Sequence, residues 1–242
     1  MNMRKVAFFV EGQTEADFVK RYLKEITSKK GLITVKEGRG GKNSPRVFTQ
    51  TYQEGEAGKD YQIDIYVSTA DNRVNSDIRD NLSSLGRSGF EMIIGLRDLR
   101  GQKNDQTEYT LADLPAVERA SQAIFARSTP PVKPVMAVME IETWFIAETN
   151  HYQAIDPSLT SEVITANMAS LGVNPYSDDL TQVAQPAETL DRIYHLAGKG
   201  YSKSATSRQR TIEALDYANM YINVPARLAK FEEFSSIVDS IF

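Results

Sequence analysis

One stretch decides the fold that the sequence predicts: Lys5-Val6-Ala7-Phe8-Phe9-Val10-Glu11-Gly12-Gln13-Thr14-Glu15. Its first half is a short continuous apolar run, which is typical of a strand buried on both faces of a parallel sheet. Its second half begins a helical stripe that continues through Phe18, Tyr22 and Ile26. We therefore expect a strand, a turn that carries Glu11, and a helix whose start resembles a capping box of Thr14 and Asp17.

The same alternation of strand and helix continues to about residue 147. Apolar runs predict further strands at Leu32–Lys36, Tyr61–Ser68, Phe90–Leu96 and Val135–Met139, with helical stripes before the last two. Such alternation is typical of an α/β fold with a mostly parallel sheet and helices on both faces. The remainder predicts helices over about 160–171, 186–197, 205–220 and 225–241. We expect a core domain over 1–150 and a C-terminal helical cap or subdomain over 151–242.

The composition narrows the kinds of site and location that we expect. Because the 242 residues include no cysteine and only two histidines, a metal must be held by oxygen, which favours Mg²⁺, Mn²⁺ or Ca²⁺. Val6–Val10 is too short for a signal-peptide core, and Val135–Ala147 is interrupted by two glutamates and falls short of the roughly 20 residues of a membrane span. We expect a cytoplasmic protein with no membrane partner.

Acidic residues follow three of the predicted strands. Glu11 follows Val10, Asp98 follows Leu96 and Arg97, and Glu140 with Glu142 follows Met139. Ligands of open α/β sheets collect outside the carboxyl ends of the strands, so these acids are expected to converge there. Buried carboxylates need a compensating cation, and a hard divalent ion can polarise a phosphodiester. The pattern predicts a metal site, although a single acid at a strand end is also common as a helix cap or ion-pair partner.

A basic segment lies between Asp191 and Glu213. It contains five cations and no acid, namely Arg192, Lys199, Lys203, Arg208 and Arg210, with Tyr194 and Tyr201 among them. In a chain of net charge −4, this local excess predicts a groove for nucleic-acid phosphates, with Tyr201 stacking on an unpaired base. A solvated helix face is the alternative interpretation. The loop Lys36–Arg46 is a second candidate for phosphate binding.

Three of these motifs resemble those of a known superfamily. Val10-Glu11-Gly12-Gln13-Thr14-Glu15 resembles the V-E-G-x-T-E opening of Toprim-fold proteins, and Asp98-Leu-Arg-Gly101 resembles their aspartate motif. Met139-Glu-Ile-Glu-Thr-Trp-Phe-Ile-Ala147 is similar to the glutamate motif of a standalone bacterial branch. That branch is related to the nuclease domains of overcoming-lysogenization-defect proteins. A weaker likeness continues through Tyr201-Ser-Lys203.

This resemblance implies a Toprim-like core that binds Mg²⁺ or Mn²⁺. Glu11 would be the general acid/base or a metal ligand, Asp98 would be a metal ligand at the catalytic centre, and Glu140 and Glu142 would complete the ligand shell. Toprim sites usually carry D-x-D, whereas this chain has Arg100 at the second position. The missing ligand could be replaced by Glu140 or Glu142, or by Asp105 or Asp71. Alternatively, three cations near Asp98 could hold phosphate oxygens, namely Arg97, Arg100 and Lys103.

The resemblance implies a nuclease that acts on DNA or RNA in antiphage defence or genome maintenance. It also implies an ATPase partner, because the chain has no phosphate-binding loop of its own. A non-catalytic nucleic-acid-binding or regulatory subunit is the main alternative, since Arg100 could mark a degenerate metal site. A phosphotransferase or hydrolase of small phosphate esters is a third hypothesis.

Overall fold

The computed structural model describes residues 3–27, 30–40, 46–69, 73–104 and 107–242. Its strands are β1 (Arg4–Val10), β2 (Gly31–Arg39), β3 (Val47–Gly55), β4 (Tyr61–Val67), β5 (Met92–Asp98), β6 (Gln102–Asn104), β7 (Thr107–Glu108) and β8 (Val132–Ala137). Its α-helices are α1 (Gln13–Ile26), α2 (Val74–Arg87), α3 (Leu114–Phe125), α4 (Glu142–Ala147), α5 (His151–Ile155), α6 (Ser161–Ala166), α7 (Met168–Leu171), α8 (Pro186–His195), α9 (Ala205–Ala214), α10 (Tyr217–Ile222) and α11 (Ala229–Asp239).

Six of these strands form one mostly parallel sheet in the order β3-β2-β4-β1-β5-β8. β1 pairs in parallel with β4 and β5, and β2 pairs in parallel with β4, whereas β3 is antiparallel to β2. The Ile93 N–H donates to the Pro131 carbonyl, and the Leu99 N–H donates to the Ala137 carbonyl. In both bonds the acceptor lies 38 positions after the donor, so β8 runs parallel to β5. The α/β class and the mostly parallel sheet are therefore confirmed, and the arrangement is consistent with a Toprim-like fold.

The winding of the sheet reverses direction around β1. The crossover through α1 leads from β1 to β2 on one side, and the crossover through α2 leads from β4 to β5 on the other. In open α/β sheets, ligands bind outside the carboxyl ends of the strands at such a reversal. Asp98 is the last residue of β5, so it lies at the carboxyl end of a strand next to this reversal.

Both faces of β1 are covered, as its uninterrupted apolar run predicts. On one face, Ala7 and Phe9 pack in a cluster with Val74 and Ile78 of α2 and with Phe125 of α3. The alternate residues of β1 on the other face are also fully buried, and α1 packs against β1 and β4. A strand that is buried on both faces needs no polar alternation, which explains why the run is continuous.

The turn after β1 is held by Glu15 rather than by the predicted pair of Thr14 and Asp17. Gly12 is the N-cap of α1, and its backbone N–H donates to Glu15 Oε2 at 2.8 Å. Glu15 is the third residue of the helix, the position from which a glutamate can reach back to the cap. This glutamate of the opening motif therefore serves the helix start.

The chain divides into two compact units at different places from the predicted boundary at residue 150. Unit 1 comprises Met1–Arg97, Asp113–Met136 and Ile237–Phe242, and unit 2 comprises Asp98–Ala112 and Ala137–Ser236. The chain leaves unit 1 at the carboxyl ends of β5 and β8, so the residues after both strands belong to the mostly helical unit 2. No helix in the described ranges is long and apolar enough to cross a membrane.

Candidate metal centre

Three of the predicted acids lie together in unit 2. Asp98, Glu140 and Glu142, called the acidic triad from here on, each offer one carboxylate oxygen within 4.8 Å of the other two. Their residues are 8%, 5% and 0% exposed. Oxygens on opposite sides of a bound ion are about 4.0–4.2 Å apart for Mg²⁺ and about 4.6–5.2 Å apart for Ca²⁺. The spacing of the acidic triad therefore fits one hard divalent cation.

A tight turn after β8 places the two glutamates next to each other in the fold. Met139 has a φ of +60°, and the Glu140 N–H donates to the Val138 carbonyl at 2.9 Å, which makes the three residues a γ-turn. This conformation is rare and strained for a non-glycine residue. The Thr143 hydroxyl also donates to the Val138 carbonyl at 2.9 Å and ties the first turn of α4 to the strand end. The chain thus passes from β8 into α4 between Glu140 and Glu142.

Aromatic packing holds α4 within unit 2. The ring centroids of Trp144 and Phe231 are 5.1 Å apart in an edge-to-face arrangement, and Phe234 lies 5.2 Å from Trp144. All residues of α4 are buried. Such packing limits the movement of the short helix, so Glu142 at its first position is held in place.

A different segment of unit 2 donates a hydrogen bond to each carboxylate of the triad. The Ile141 N–H donates to Asp98 Oδ1 at 3.0 Å, and the Ala187 N–H, at the start of α8, donates to Glu140 Oε2 at 3.0 Å. The Tyr201 hydroxyl donates to Glu142 Oε1 at 2.7 Å. These donors orient the carboxylates before any ion binds.

Lys203 and Arg100 pair with carboxylates of the acidic triad. Lys203 Nζ lies 3.2 Å from Glu140 Oε1 and 3.5 Å from Glu142 Oε1. Arg100 Nη1 lies 3.2 Å from Glu140 Oε1. Glu140 therefore pairs with both cations, and Glu142 with one of them.

The structure contradicts the predicted role of Tyr201 as a stacking platform. The residue is 6% exposed, its hydroxyl is bonded to Glu142, and its ring lies edge-on to Tyr194 at 6.3 Å. A ring buried in this way has no open face for an unpaired base. Tyr201 instead belongs to the acidic centre.

The cations of the basic segment all contact their own chain. Lys199 Nζ lies 3.7 Å from Asp156 Oδ2, and Arg208 donates to the Lys203 carbonyl at 3.0 Å. Arg210 donates to the Gly200 carbonyl and stands over the Tyr194 ring. Arg192 donates to the Leu171 carbonyl at 3.1 Å. Phosphates would have to compete with these contacts, and the groove stays a prediction.

The second basic candidate, Lys36–Arg46, is also engaged at both ends. Lys36 lies in β2, and its ammonium is 2.6 Å from Asp64 Oδ2. Arg46 donates to the Gly38 carbonyl at 2.6 Å and to the Thr69 hydroxyl at 2.7 Å. Residues 41–45 of this segment lie outside the described residues.

Other predicted positions lie outside the acidic triad or beyond the described residues. Glu11 follows β1 in unit 1, and its part in the metal site stays a prediction. Arg97 belongs to unit 1 and is 9% exposed, which leaves its guanidinium little surface for a polymer. Lys103 is exposed in β6, and its contact with phosphate stays a prediction. The alternative ligands Asp71 and Asp105 lie outside the described residues.

Sequence reasoning missed a second buried carboxylate at the end of α4. Glu148 is fully buried and follows α4 directly. Its Oε1 accepts from the Asn150 N–H at 2.9 Å and from the Asn219 amide at 2.5 Å. Its Oε2 accepts from the backbone N–H groups of His151 at 3.0 Å and of Asp216 at 3.2 Å. Two of its four donors are local, but those of Asp216 and Asn219 lie 68 and 71 positions away, and no pattern along the chain shows them.

The surroundings of Glu148 favour its ionised form. Burial alone would raise the pKa of its carboxyl, but the nearby His151 imidazole and the hydrogen bonds from Asn219 and Asn150 outweigh burial. Together they hold the pKa below its ordinary value. Glu148 is therefore a buried anion with fixed donors.

A family comparison covers nearly the whole chain. A model described as a domain of unknown function, DUF4276, matches residues 10–231. The chain belongs to the DUF4276 family. The DUF4276 match includes the acidic triad, Arg100, Lys203 and Glu148. No curated protein and no solved structure matches the chain, so the resemblance to Toprim-fold proteins stays a hypothesis.

Proposed function

We propose that this DUF4276 chain is a metal-dependent nuclease that cleaves phosphodiester bonds of DNA or RNA, with Mg²⁺ or Mn²⁺ held by the acidic triad. The observation that carries the proposal is the meeting of three buried carboxylates within 4.8 Å. Carboxylates at this distance repel one another in a partly dehydrated site. A divalent cation bound between them would offset that repulsion.

The donor set selects the kind of ion. The three candidate ligands are carboxylates, and the chain has no cysteine. Hard cations such as Mg²⁺ and Mn²⁺ prefer such oxygens, whereas zinc sites favour imidazole and thiolate. When bound, the ion would polarise a phosphodiester and lower the pKa of a bound water.

Hydrogen bonds orient the carboxylates of the acidic triad before an ion binds. Asp98 is tied to the start of α4 through the Ile141 N–H, and Glu140 is tied to the start of α8 through the Ala187 N–H. The Tyr201 hydroxyl fixes Glu142. Carboxylates that are already oriented lose less conformational entropy on binding an ion than flexible ones do. Arg100 is partly exposed beside Glu140, where its guanidinium could bind a phosphate oxygen.

The substrate class is the part of the proposal that rests on the resemblance to Toprim-fold nucleases. The same resemblance supports a role in antiphage defence or genome maintenance and a partner ATPase. We propose a cytoplasmic location because Val6–Val10 is too short for a signal-peptide core and no described helix could cross a membrane. Glu11 remains the proposed general acid/base or additional metal ligand on the ground of the resemblance. Its glutamine variant is therefore a separate test of the resemblance.

One observation favours a second candidate function, a non-catalytic nucleic-acid-binding or regulatory subunit. Lys203 and Arg100 already form ion pairs with Glu140, and Lys203 also faces Glu142. A cluster that is satisfied by its own cations can serve structure alone. The two candidates differ in whether the acidic triad binds an ion at all.

The test combines metal binding with cleavage. Purified wild type is titrated with Mn²⁺ by calorimetry and incubated with plasmid, single-stranded DNA and RNA, with and without Mg²⁺ or Mn²⁺. Asp98→Asn and Glu142→Gln are the test variants, and the exposed Glu213→Gln in unit 2 is the matched control. We expect metal-dependent cleavage by wild type and control, and loss of cleavage with weaker Mn²⁺ binding in the test variants.

The alternatives predict other results from the same experiment. Nucleic-acid binding without Mn²⁺ binding or cleavage would support the regulatory subunit. Hydrolysis of mononucleotides alone would point to a small-phosphate enzyme. Cleavage that survives in both Asp98→Asn and Glu142→Gln would show that the acidic triad is not the catalytic centre.

A further inference from the structure

Lys203 occupies the part of the acidic triad where a metal ion would be expected. Its ammonium lies 3.2 Å from Glu140 Oε1 and 3.5 Å from Glu142 Oε1, so one side chain faces two of the three candidate ligands. The carboxylate side chains are 7% and 0% exposed, whereas the Lys203 side chain is 47% exposed. The lysine therefore reaches buried anions from the solvent side.

The other partners of the triad are less exposed than Lys203, since the Arg100 side chain is 31% exposed and the Lys203 side chain 47%. The Arg100 backbone N–H donates to the Met139 carbonyl at 2.8 Å, which continues the pairing of β5 and β8. The Tyr201 hydroxyl is neutral, and its ring is buried. Lys203 lies between Tyr201 and α9, on a flexible four-carbon stem with a strongly hydrated ammonium. Of the donors described here, Lys203 can return to water at the smallest cost.

The ammonium and a divalent ion have the same electrostatic role at these oxygens. Each offsets the repulsion between Glu140 and Glu142, and each needs the oxygen atoms that the other uses. With both present, two like charges would face one another in a site whose anions are almost dehydrated. Such repulsion is only weakly screened because the pair is partly buried.

We infer that Lys203 is an internal counter-ion that a divalent metal displaces from Glu140 and Glu142. The inference rests on the metal binding proposed above and adds its regulation. Without metal, Lys203 neutralises part of the acidic triad and sets a threshold for ion binding. With metal, the ammonium leaves the carboxylates and is available at the solvent side to an oxyanion such as a phosphate. The order of binding is therefore metal first and phosphate second.

The first experiment measures the exposure of Lys203 in the unmodified protein. The full chain is treated briefly with an amine acetylating reagent, with and without saturating Mn²⁺, and each lysine is quantified by peptide mass spectrometry. We expect labelling of Lys203 to rise several-fold with Mn²⁺. Lys199, which lies in the same loop and pairs with Asp156 away from the triad, is the internal control and should not change.

The second experiment measures how much Lys203 weakens the binding of Mn²⁺. Lys203→Met keeps the length of the side chain and removes its charge, and Lys199→Met is the matched control. Calorimetric titration with Mn²⁺ should show about threefold to tenfold tighter binding by Lys203→Met, which corresponds to removal of one partly exposed ion pair. Lys203→Arg should bind Mn²⁺ no more tightly than wild type. A purely structural role of Lys203 predicts unchanged or weaker binding in Lys203→Met.

The outcomes separate this inference from the proposed function. If wild type binds Mn²⁺ and Lys203 labelling does not respond, the displacement is wrong while the metal centre stands. The same conclusion follows if Lys203→Met binds Mn²⁺ no more tightly than wild type. If only Lys203→Met binds measurably, the lysine blocks the site, which supports the inference. Failure of Mn²⁺ to bind to both proteins overturns the metal centre and the displacement together.

Discussion

The two ends of α4 carry two fully buried glutamates with opposite surroundings. Glu142 begins the helix and shares its site with two other carboxylates, a tyrosine hydroxyl and a solvent-reaching ammonium. Glu148 follows the helix and accepts four N–H donors, three of them from the backbone. Both side chains are without access to water, so burial does not distinguish them.

The two glutamates differ in whether their partners can be replaced by another cation. Backbone N–H groups cannot leave Glu148 unless the surrounding helices move, so its carboxylate is a structural element. The ammonium that faces Glu142 belongs to a flexible side chain and can be replaced by another cation. A buried acid is therefore a candidate for ion binding when its partners are mobile charges, and a candidate for folding when its partners are fixed amides.

Replacement of Glu148 should give the largest effect on folding. Glu148→Ala leaves four N–H donors without their acceptor, one of them in a buried bond from His151 and three in partly buried bonds. It also removes the carboxylate from its buried contact with the His151 imidazole, and we expect a loss of about 3–5 kcal/mol in the free energy of unfolding. Denaturant unfolding of this variant and of the exposed control Glu213→Ala measures the difference. A loss below about 1 kcal/mol would remove the distinction between the two glutamates.

The pH dependence of stability should identify Glu148 as the group responsible. Its folded pKa is depressed, so its contribution is fully present above the unfolded pKa of about 4.3 and is lost as the pH falls through the folded pKa. The stability difference between wild type and Glu148→Gln should therefore be constant near neutral pH and shrink in acid. A difference that grows in acid would contradict the assigned direction of the shift.

Replacement of Glu142, at the other end of α4, should mainly reduce the affinity for metal. Glu142→Gln removes an anionic ligand but keeps the volume of the side chain, and we expect Mn²⁺ affinity to fall at least about tenfold. Its unfolding free energy should change less than that of Glu148→Gln. Calorimetry and denaturant unfolding on the same preparations make the comparison, and equal destabilisation by both substitutions would speak against a metal role for Glu142.

Replacement of Tyr201 should have a smaller effect on the free energy of unfolding. Tyr201→Phe keeps the ring and removes the hydroxyl that donates to Glu142 at 2.7 Å. Hydrogen bonds to charged groups contribute about 1.5–3 kcal/mol, and Lys203 still faces the carboxylate, so we expect a loss near the lower limit. Denaturant unfolding of Lys203→Met, Tyr201→Phe and the double variant would show whether the two donors support Glu142 independently.

The smallest effect should come from Lys199. Its exposed pairing with Asp156 lies outside both glutamate sites, so Lys199→Ala should leave the melting temperature unchanged. If Lys199 contacts a phosphate, the slope of log affinity for duplex DNA against log salt should become shallower by about 0.9. An unchanged slope would remove Lys199 from the predicted groove.

Much of unit 1 was predictable because its strands are buried on both faces. The runs at Lys5–Val10 and Phe90–Leu96 stand out without any knowledge of their partners, and β1 and β5 lie there. The acids that follow strands were also predictable, since the carboxyl end of a parallel strand is a general ligand position. Asp98, Glu140 and Glu142 meet for that reason.

The features that the sequence did not predict depend mostly on contacts between distant residues. β3 was missed because most of its residues are polar and exposed, which gives no clear alternation. The predicted helix over 205–220 is two helices, because Asp216 accepts from the Asn219 N–H at 3.0 Å and starts α10. Lys203 was assigned to phosphate, although it pairs with a carboxylate 63 positions away. No local periodicity encodes such a pairing.

The antiparallel strand β3 has a consequence for how copies of the chain meet one another. As the outermost strand beside β2, it presents unpaired backbone groups along one border of the sheet. The pairing of β2 and β3 shifts register between Val35 and Lys36, and most of the outer strand carries polar or charged side chains. An irregular, hydrophilic border is a poor template for a strand of another molecule. The border of the sheet at β3 is therefore poorly suited to strand pairing between copies of the chain.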